Sequence, residues 1–267
     1  MKLAYSTLGC PDWTLDEAIA AARKNNISAL EIRGIAGEMD LLKIPALMPE
    51  NMAQTREKLG ELTICTLGSS LKFDRSVDRD EMLEEGRKLV DLASADGIPF
   101  IRIFGNDIFP DEEEEAAIAH LADGIAALCA CAEGKNVMIL LEVHGTINTL
   151  ERLKAISDRI PSPAFGILWD IAHTDKKYKD NFREFYLPLL PRIRHIHVKD
   201  HFRLEEGTRL VGIGEGEIPI AAIVKSLLSD GYDGFFSLEW EKKWHPDLAP
   251  LEEALPVYAG YMEEAAL

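Results

Sequence analysis

The chain has 267 residues, 47% of them hydrophobic and 28% charged, a balance that supplies a sizeable core and excludes the disordered and fibrous classes. Its 29 Lys and Arg against 46 Asp and Glu leave a formal charge of −17, which repels a polyphosphate backbone, so nucleic acid is not expected as a partner. No signal-peptide core follows Met1 to Ala4, and no apolar run approaches the roughly 18 residues of a membrane span, so a cytoplasmic location without membrane contact is expected. Cys10, Cys65, Cys129 and Cys131 are too scattered for a disulfide scaffold, and the i, i+2 spacing of the last two on a helical segment points them apart.

In chain order, β-rich runs alternate with helical stretches. Strands are expected at 3–7, 29–33, 63–68, 100–104, 137–142, 165–170, 193–198 and 235–239. The first helix opens at Thr14 with Glu17 in capping-box spacing and runs to Lys24, where Asn25 and Asn26 stop it. Further helical segments are expected at 51–61, 79–96, 112–133, 149–160, 181–189, 220–229 and 251–264. Eight strand–helix units over 267 residues fit the length of a βαβ step, and no Gly/Ser- or Pro-rich linker interrupts them, so residues 1–267 read as one domain.

The strands are continuous apolar runs such as Val137-Met138-Ile139-Leu140-Leu141, which suits a parallel sheet covered on both faces. Eight such units most simply close into a single α/β (β/α)8 TIM barrel. A doubly wound open sheet is the alternative, but the turn after the first strand, Thr7-Leu8-Gly9-Cys10-Pro11, offers one glycine where a dinucleotide fingerprint needs several.

Four of these strands end alike: Leu141 is followed by Glu142, Trp169 by Asp170, Ile196 by His197 and Leu238 by Glu239. In a barrel the C-terminal strand ends converge on one mouth. A lone strand-end carboxylate is more often a loop cap or ion-pair partner, and a lone histidine more often a satisfied core residue. Three carboxylates gathered at one mouth, however, repel one another unless a cation or an acid–base task compensates. With one imidazole they favour a divalent Mn²⁺ or Mg²⁺, with Zn²⁺ or Co²⁺ as alternatives. Such an ion suits proton transfer next to a carbonyl. His144 and Lys199 lie two residues beyond Glu142 and His197, on the same strand faces, and His173 lies three beyond Asp170. Arg102 on the fourth strand has ambiguous parity; a surface pair for Arg102 and an Asp200 pair for Lys199 are the bland alternatives.

These residues resemble the xylose isomerase-like barrels, in particular the sugar phosphate isomerase/epimerase group. The resemblance rests on Ser6-Thr7-Leu8-Gly9-Cys10-Pro11, Leu30-Glu31-Ile32-Arg33-Gly34, Leu141-Glu142-Val143-His144, Trp169-Asp170-Ile171-Ala172-His173, His195-Ile196-His197-Val198-Lys199-Asp200 and Ser237-Leu238-Glu239-Trp240. It implies that Glu142, Asp170, His197 and Glu239 bind a divalent metal, that Glu142 and Glu239 form the acid–base pair, and that Arg102, His144, His173 and Lys199 contact a small sugar or sugar-like substrate. The group also holds inosose and 3-dehydroshikimate dehydratases, whose first step is the same proton abstraction; Arg102, Glu142-x-His144, Asp170-x-x-His173 and Ser237-Leu238-Glu239-Trp240 look similar to the latter. The related apurinic endonucleases carry extra histidines on strands three and four. Here Leu67-Gly68-Ser69 and Ile103-Phe104-Gly105-Asn106 have none.

A non-catalytic metal- or sugar-binding barrel is the hypothesis from another class, and loss of catalysis would be expected to leave a gap among the four strand-end residues. The acidic run Asp111 to Glu115 reads as a solvated helix start. The glycine-rich segment Gly212 to Pro219 lacks the Lys-Ser/Thr of a phosphate loop and reads as a loop at the barrel mouth. Homo-oligomerisation stays open.

Overall fold

The fold is taken from a computed structural model, which describes residues 1–105 and 107–267; Asn106 lies outside them. Eight parallel strands close into a barrel: β1 (Lys2–Ser6), β2 (Ala29–Ile32), β3 (Thr63–Gly68), β4 (Phe100–Phe104), β5 (Met138–Glu142), β6 (Phe165–Asp170), β7 (Ile193–Val198) and β10 (Phe235–Leu238). Around the barrel they follow the order β1-β10-β7-β6-β5-β4-β3-β2. The expected (β/α)8 barrel is therefore the observed architecture, not an open sheet. Ile139, Leu141, Ile167, Ile196 and their equivalents pack outward under the helices as one apolar core.

The helices are α1 (Leu15–Lys24), α2 (Met52–Leu59), α3 (Arg79–Asp96), α4 (Glu114–Ala132), α5 (Leu150–Asp158), α6 (Ile171–Tyr178), α7 (Phe182–Tyr186), α8 (Ile220–Ser229) and α9 (Leu251–Ala265). Thr14 and Glu17 form the expected capping box of α1. One expectation about membranes needs correcting: α4 is long and apolar enough to cross a bilayer by length and composition. It lies instead on the barrel wall, with Ile118, Leu121, Ile125 and Leu128 buried in the core.

Three features depart from the strand and helix periodicities. Helix α6 starts directly at the end of β6, because Asp170 Oδ1 accepts the Ala172 N–H at 2.9 Å and caps it. The helical segment expected at 181–189 shrinks to α7 followed by a 3-10 turn that contains Pro188, which has no N–H to extend the α-helical ladder. After β7 the chain makes an antiparallel hairpin, β8 (Asp200–Arg203) with β9 (Thr208–Val211), outside the barrel. It is held by Asp175 of α6, which accepts from His201 Nε2 at 3.0 Å and from the Arg203 guanidinium through both oxygens at 2.7 Å.

Candidate metal centre

Neighbouring strands bring the strand-end residues into register. Asp170 on β6 lies opposite His197 on β7, and His197 lies opposite Ser237 on β10. Glu239 is one residue past the end of β10, but its N–H donates to the Val198 carbonyl at 3.1 Å, so it stays on the sheet beside His197. One ligand atom each from Glu142, Asp170, His197 and Glu239 falls within 4.8 Å of the others, and all four residues are buried. The four residues expected to converge do so.

The second-tier residues surround this cluster. Arg102 is inward and buried, its Nε 3.3 Å from Glu142 Oε2 and its guanidinium over the Phe104 ring, so it is not the surface pair of the bland reading. Lys199 does not pair with Asp200. Its ammonium lies 2.8 Å from Asp170 Oδ2, donates to Glu239 Oε2 at 2.6 Å and also meets Glu241. Asp200 turns away and accepts the N–H groups of Gly214, Gly216 and Ile218, which ties down the glycine-rich segment behind β7. That segment lies in the connection from β7 to α8, beyond the C-terminal end of β7, but does not line the cavity. His173 Nε2 is 3.6 Å from Asp170 Oδ2, and its ring lies 4.4 Å from that of His144.

The cluster opens into a cavity of about 430 Å³ lined by Glu142, Glu239, His144, Lys199, Arg102 and Arg33, with Trp244 at its edge. A larger cleft of about 590 Å³ adjoins it at Arg33 and Ser70. The cleft is bordered by Glu81, Glu84 and Glu85 on α3 and contains none of the clustered donors.

The charges are mutually compensating. Burial would raise the Glu239 carboxyl, but His197 and Lys199 outweigh it and hold it well below the usual range. Burial is likewise overcome at Glu142 by Arg102, which lowers it. At Asp170 burial wins over Lys199, and its pKa is raised to about 6. Burial opposes charge on His197, yet Glu239 and Glu31 raise it well above 6.5. Burial, with Lys199 and His144 nearby, lowers His173 to about 3 and keeps it neutral.

Glu142 Oε2, Asp170 Oδ2 and His197 Nδ1 are buried without an aligned hydrogen bond. What they meet are ion-pair partners: Arg102 Nε at 3.3 Å from Glu142 Oε2, Lys199 at 2.8 Å from Asp170 Oδ2, and the two glutamates at 3.4 Å from His197 Nδ1. Buried acceptors with lone pairs left over call for a further partner. Three carboxylates and one imidazole facing a common point fit a divalent cation, as the donor chemistry anticipated.

Beyond the cavity-lining Arg33 and Lys72, two carboxylates of the site were not anticipated. Glu241 faces Lys199 from the loop after β10. Glu31, on β2, is fully buried inside the barrel, where it meets His195, His197 and Ser237. A carboxylate alone among Ala29, Leu30 and Ile32 in a strand covered on both sides must be paired, and that was the available signal.

Residues 19–260 match the xylose isomerase-like TIM barrel family. The chain belongs to this family. Among members and neighbours, a Haemophilus influenzae protein with the provisional name L-ribulose-5-phosphate 3-epimerase SgbU is 26% identical over 196 residues, covering 71% of this chain and 68% of that protein. Inosose dehydratase 1 of Bacillus cereus is 24% identical over 96% of this chain and 95% of its own length. The solved structure of the IOLI protein with a bound zinc atom superposes with a TM-score of 0.81 at 18% identity, covering 100% of this chain and 98% of that one. As a xylose isomerase-like barrel the chain thus stands among sugar epimerases and dehydratases.

Proposed function

We propose that this protein is a divalent-metal-dependent isomerase or epimerase of a sugar or sugar phosphate. The observation that carries the reading is the placement of Glu142 and Glu239. Their oxygens lie 3.4 Å from His197 Nδ1 in each case, and both side chains border the cavity, one beside Arg102 and the other beside Lys199. Glu142, Asp170, His197 and Glu239 would hold the ion, Mn²⁺ or Mg²⁺ by donor chemistry, with Zn²⁺ or Co²⁺ as alternatives. When bound, the ion supplies a positive centre that polarises a carbonyl and stabilises the oxyanion of an enediolate.

The chain's own residues then do the proton work. Glu142 and Glu239 are both kept ionised by their cationic neighbours, so either can take a proton from carbon and return it. Arg102, His144, His173 and Lys199 orient the substrate; neutral His173 offers a hydrogen bond without adding charge. The buried floor excludes water that would otherwise intercept the proton.

A lyase reading is favoured by a separate observation. The likeness to inosose dehydratase runs over nearly the whole chain, 96% of it. An enolate formed by the same abstraction can expel a β-hydroxyl.

Incubation in deuterated solvent with tetruloses, pentuloses, hexuloses, their phosphates, 3-dehydroshikimate and inosose separates the two. An isomerase or epimerase exchanges the carbon-bound hydrogen of its substrate even at equilibrium. A dehydratase gives a new conjugated absorbance with no exchange into starting material. If the metal-loaded protein does neither with any compound, the catalytic reading fails and a binding barrel replaces it.

A further inference from the structure

His197 faces two ways. Its Nδ1 points at Glu142 and Glu239, and its Nε2 points down into the barrel at Glu31, 3.1 and 3.0 Å from the two carboxylate oxygens. Glu31 also meets His195 Nε2 at 2.9 Å and accepts from Ser237 Oγ at 3.3 Å, and Glu31, His195 and His197 are all fully buried. The register between β2 and β3 slips at Leu30/Glu31, where Cys65 is the extra residue of β3. Irregularities of this kind re-aim a side chain next to a site.

From this geometry we infer that Glu31 is a positioning residue for the metal centre: it holds the His197 ring and keeps the proton on Nε2, so that the Nδ1 lone pair is presented to the ion. The inference rests on the metal reading above. A carboxylate can only accept, so each imidazole nitrogen that faces Glu31 must carry a hydrogen. With His197 Nε2 committed in this way, the nitrogen left to ligate is Nδ1, which faces Glu142 and Glu239 at 3.4 Å with no aligned hydrogen bond. A histidine ligand whose second N–H is fixed by a carboxylate is a recurrent device of metal sites, and loss of the carboxylate typically costs about 10–100-fold in metal affinity. His195, on the same face of β7 and two residues earlier, holds Glu31 from the side away from the ion. Ser237 adds a third donor, which keeps the carboxylate from rotating toward the cluster.

Glu31→Gln tests this sharply. One Glu31 oxygen meets both imidazoles and the other meets His197 alone. An amide whose oxygen keeps the shared place therefore turns an NH2 toward His197 Nε2–H, setting donor against donor there, and removes the negative charge. Zinc, titrated against a competing chelator, is expected to bind the wild-type chain at one ion per chain and the Glu31→Gln protein about 10–100-fold more weakly. Near-ultraviolet circular dichroism checks that the variant is folded. If Gln does not fold, ¹⁵N-histidine spectra of the zinc-loaded wild type decide alone, and are expected to show His197 with metal on Nδ1 and hydrogen on Nε2. Unchanged zinc affinity in a folded Glu31→Gln protein, or a His197 Nε2 without hydrogen, overturns the inference. So does a second zinc per chain that disappears in the variant, because Glu31 would then be a ligand together with His195 and His197. Failure of the wild type to bind zinc, manganese or magnesium is a different result: it removes the metal reading itself.

Discussion

Asp170 divides its two oxygens between structure and site. Oδ1 caps α6 through the Ala172 N–H, while Oδ2 faces the donor cluster and the Lys199 ammonium at 2.8 Å. The cap and the proposed ligand are thus the same residue. Asn keeps a capping oxygen, so Asp170→Asn is expected to abolish metal binding and activity while the thermal midpoint moves by only a few degrees. His197→Ala is expected to lose both as well, with a larger stability cost because Glu31 is left with one fewer donor. Metal stoichiometry by elemental analysis checks both, and a normal value in either variant removes the site. Glu239→Gln keeps the shape but not the proton acceptor; turnover should fall far more than metal affinity. An equal loss of both would make Glu239 a ligand only.

At the scale of elements, α3 carries a local conflict. Its last residue, Asp96, places a carboxylate at the helix C-terminus, where the macrodipole is negative, and its Oδ2 is buried without a hydrogen bond. Burial raises its pKa from 3.8 to about 6, with Arg56 offsetting only part of the rise. The protonated form is therefore the one the fold prefers, and stability present below pH 3.8 is lost as pH rises through about 6. Because the residue is only half-buried, solvent screening cuts the effect to no more than about 1 kcal/mol. Asp96→Asn is expected to raise the thermal midpoint at pH 7 and to lose that advantage near pH 4. A gain that persists undiminished at pH 4 assigns it to something other than the charge.

For the whole molecule, metal occupancy and fold stability are linked, since the donor cluster is assembled from β5, β6, β7 and the end of β10, four strands that an unfolded chain does not hold together. At an ion concentration 100-fold above the dissociation constant, linkage adds about 2.7 kcal/mol. For a chain of this length that corresponds to a rise of roughly 5–10 °C in thermal midpoint. Chelation should reverse it, and Asp170→Asn should show none of it. An identical midpoint with and without metal in the wild type would show that the ion does not bind this cluster.

The barrel and the four donors are legible in the amino-acid order because both depend on local repetition. Continuous apolar runs alternating with helical periods specify parallel strands under helices, and a polar residue directly after such a run marks the one end where barrel side chains converge. What the order alone leaves open is anything set by the lateral pairing of distant segments. The inward parity of Arg102 is decided by the register of β4 against β5, and the turn of Lys199 away from Asp200 by carboxylates contributed from β6 and β10. Glu31 and His195 are 164 residues apart and meet across the barrel interior, a contact that no local pattern encodes. The hairpin after β7 is anchored by Asp175 of a helix that Asp170 caps. Local periodicity therefore determines which segments become strands and which carry polar ends. Closure of the sheet decides which buried charges face one another, because a charge inside the barrel is tolerated only where another strand supplies its partner.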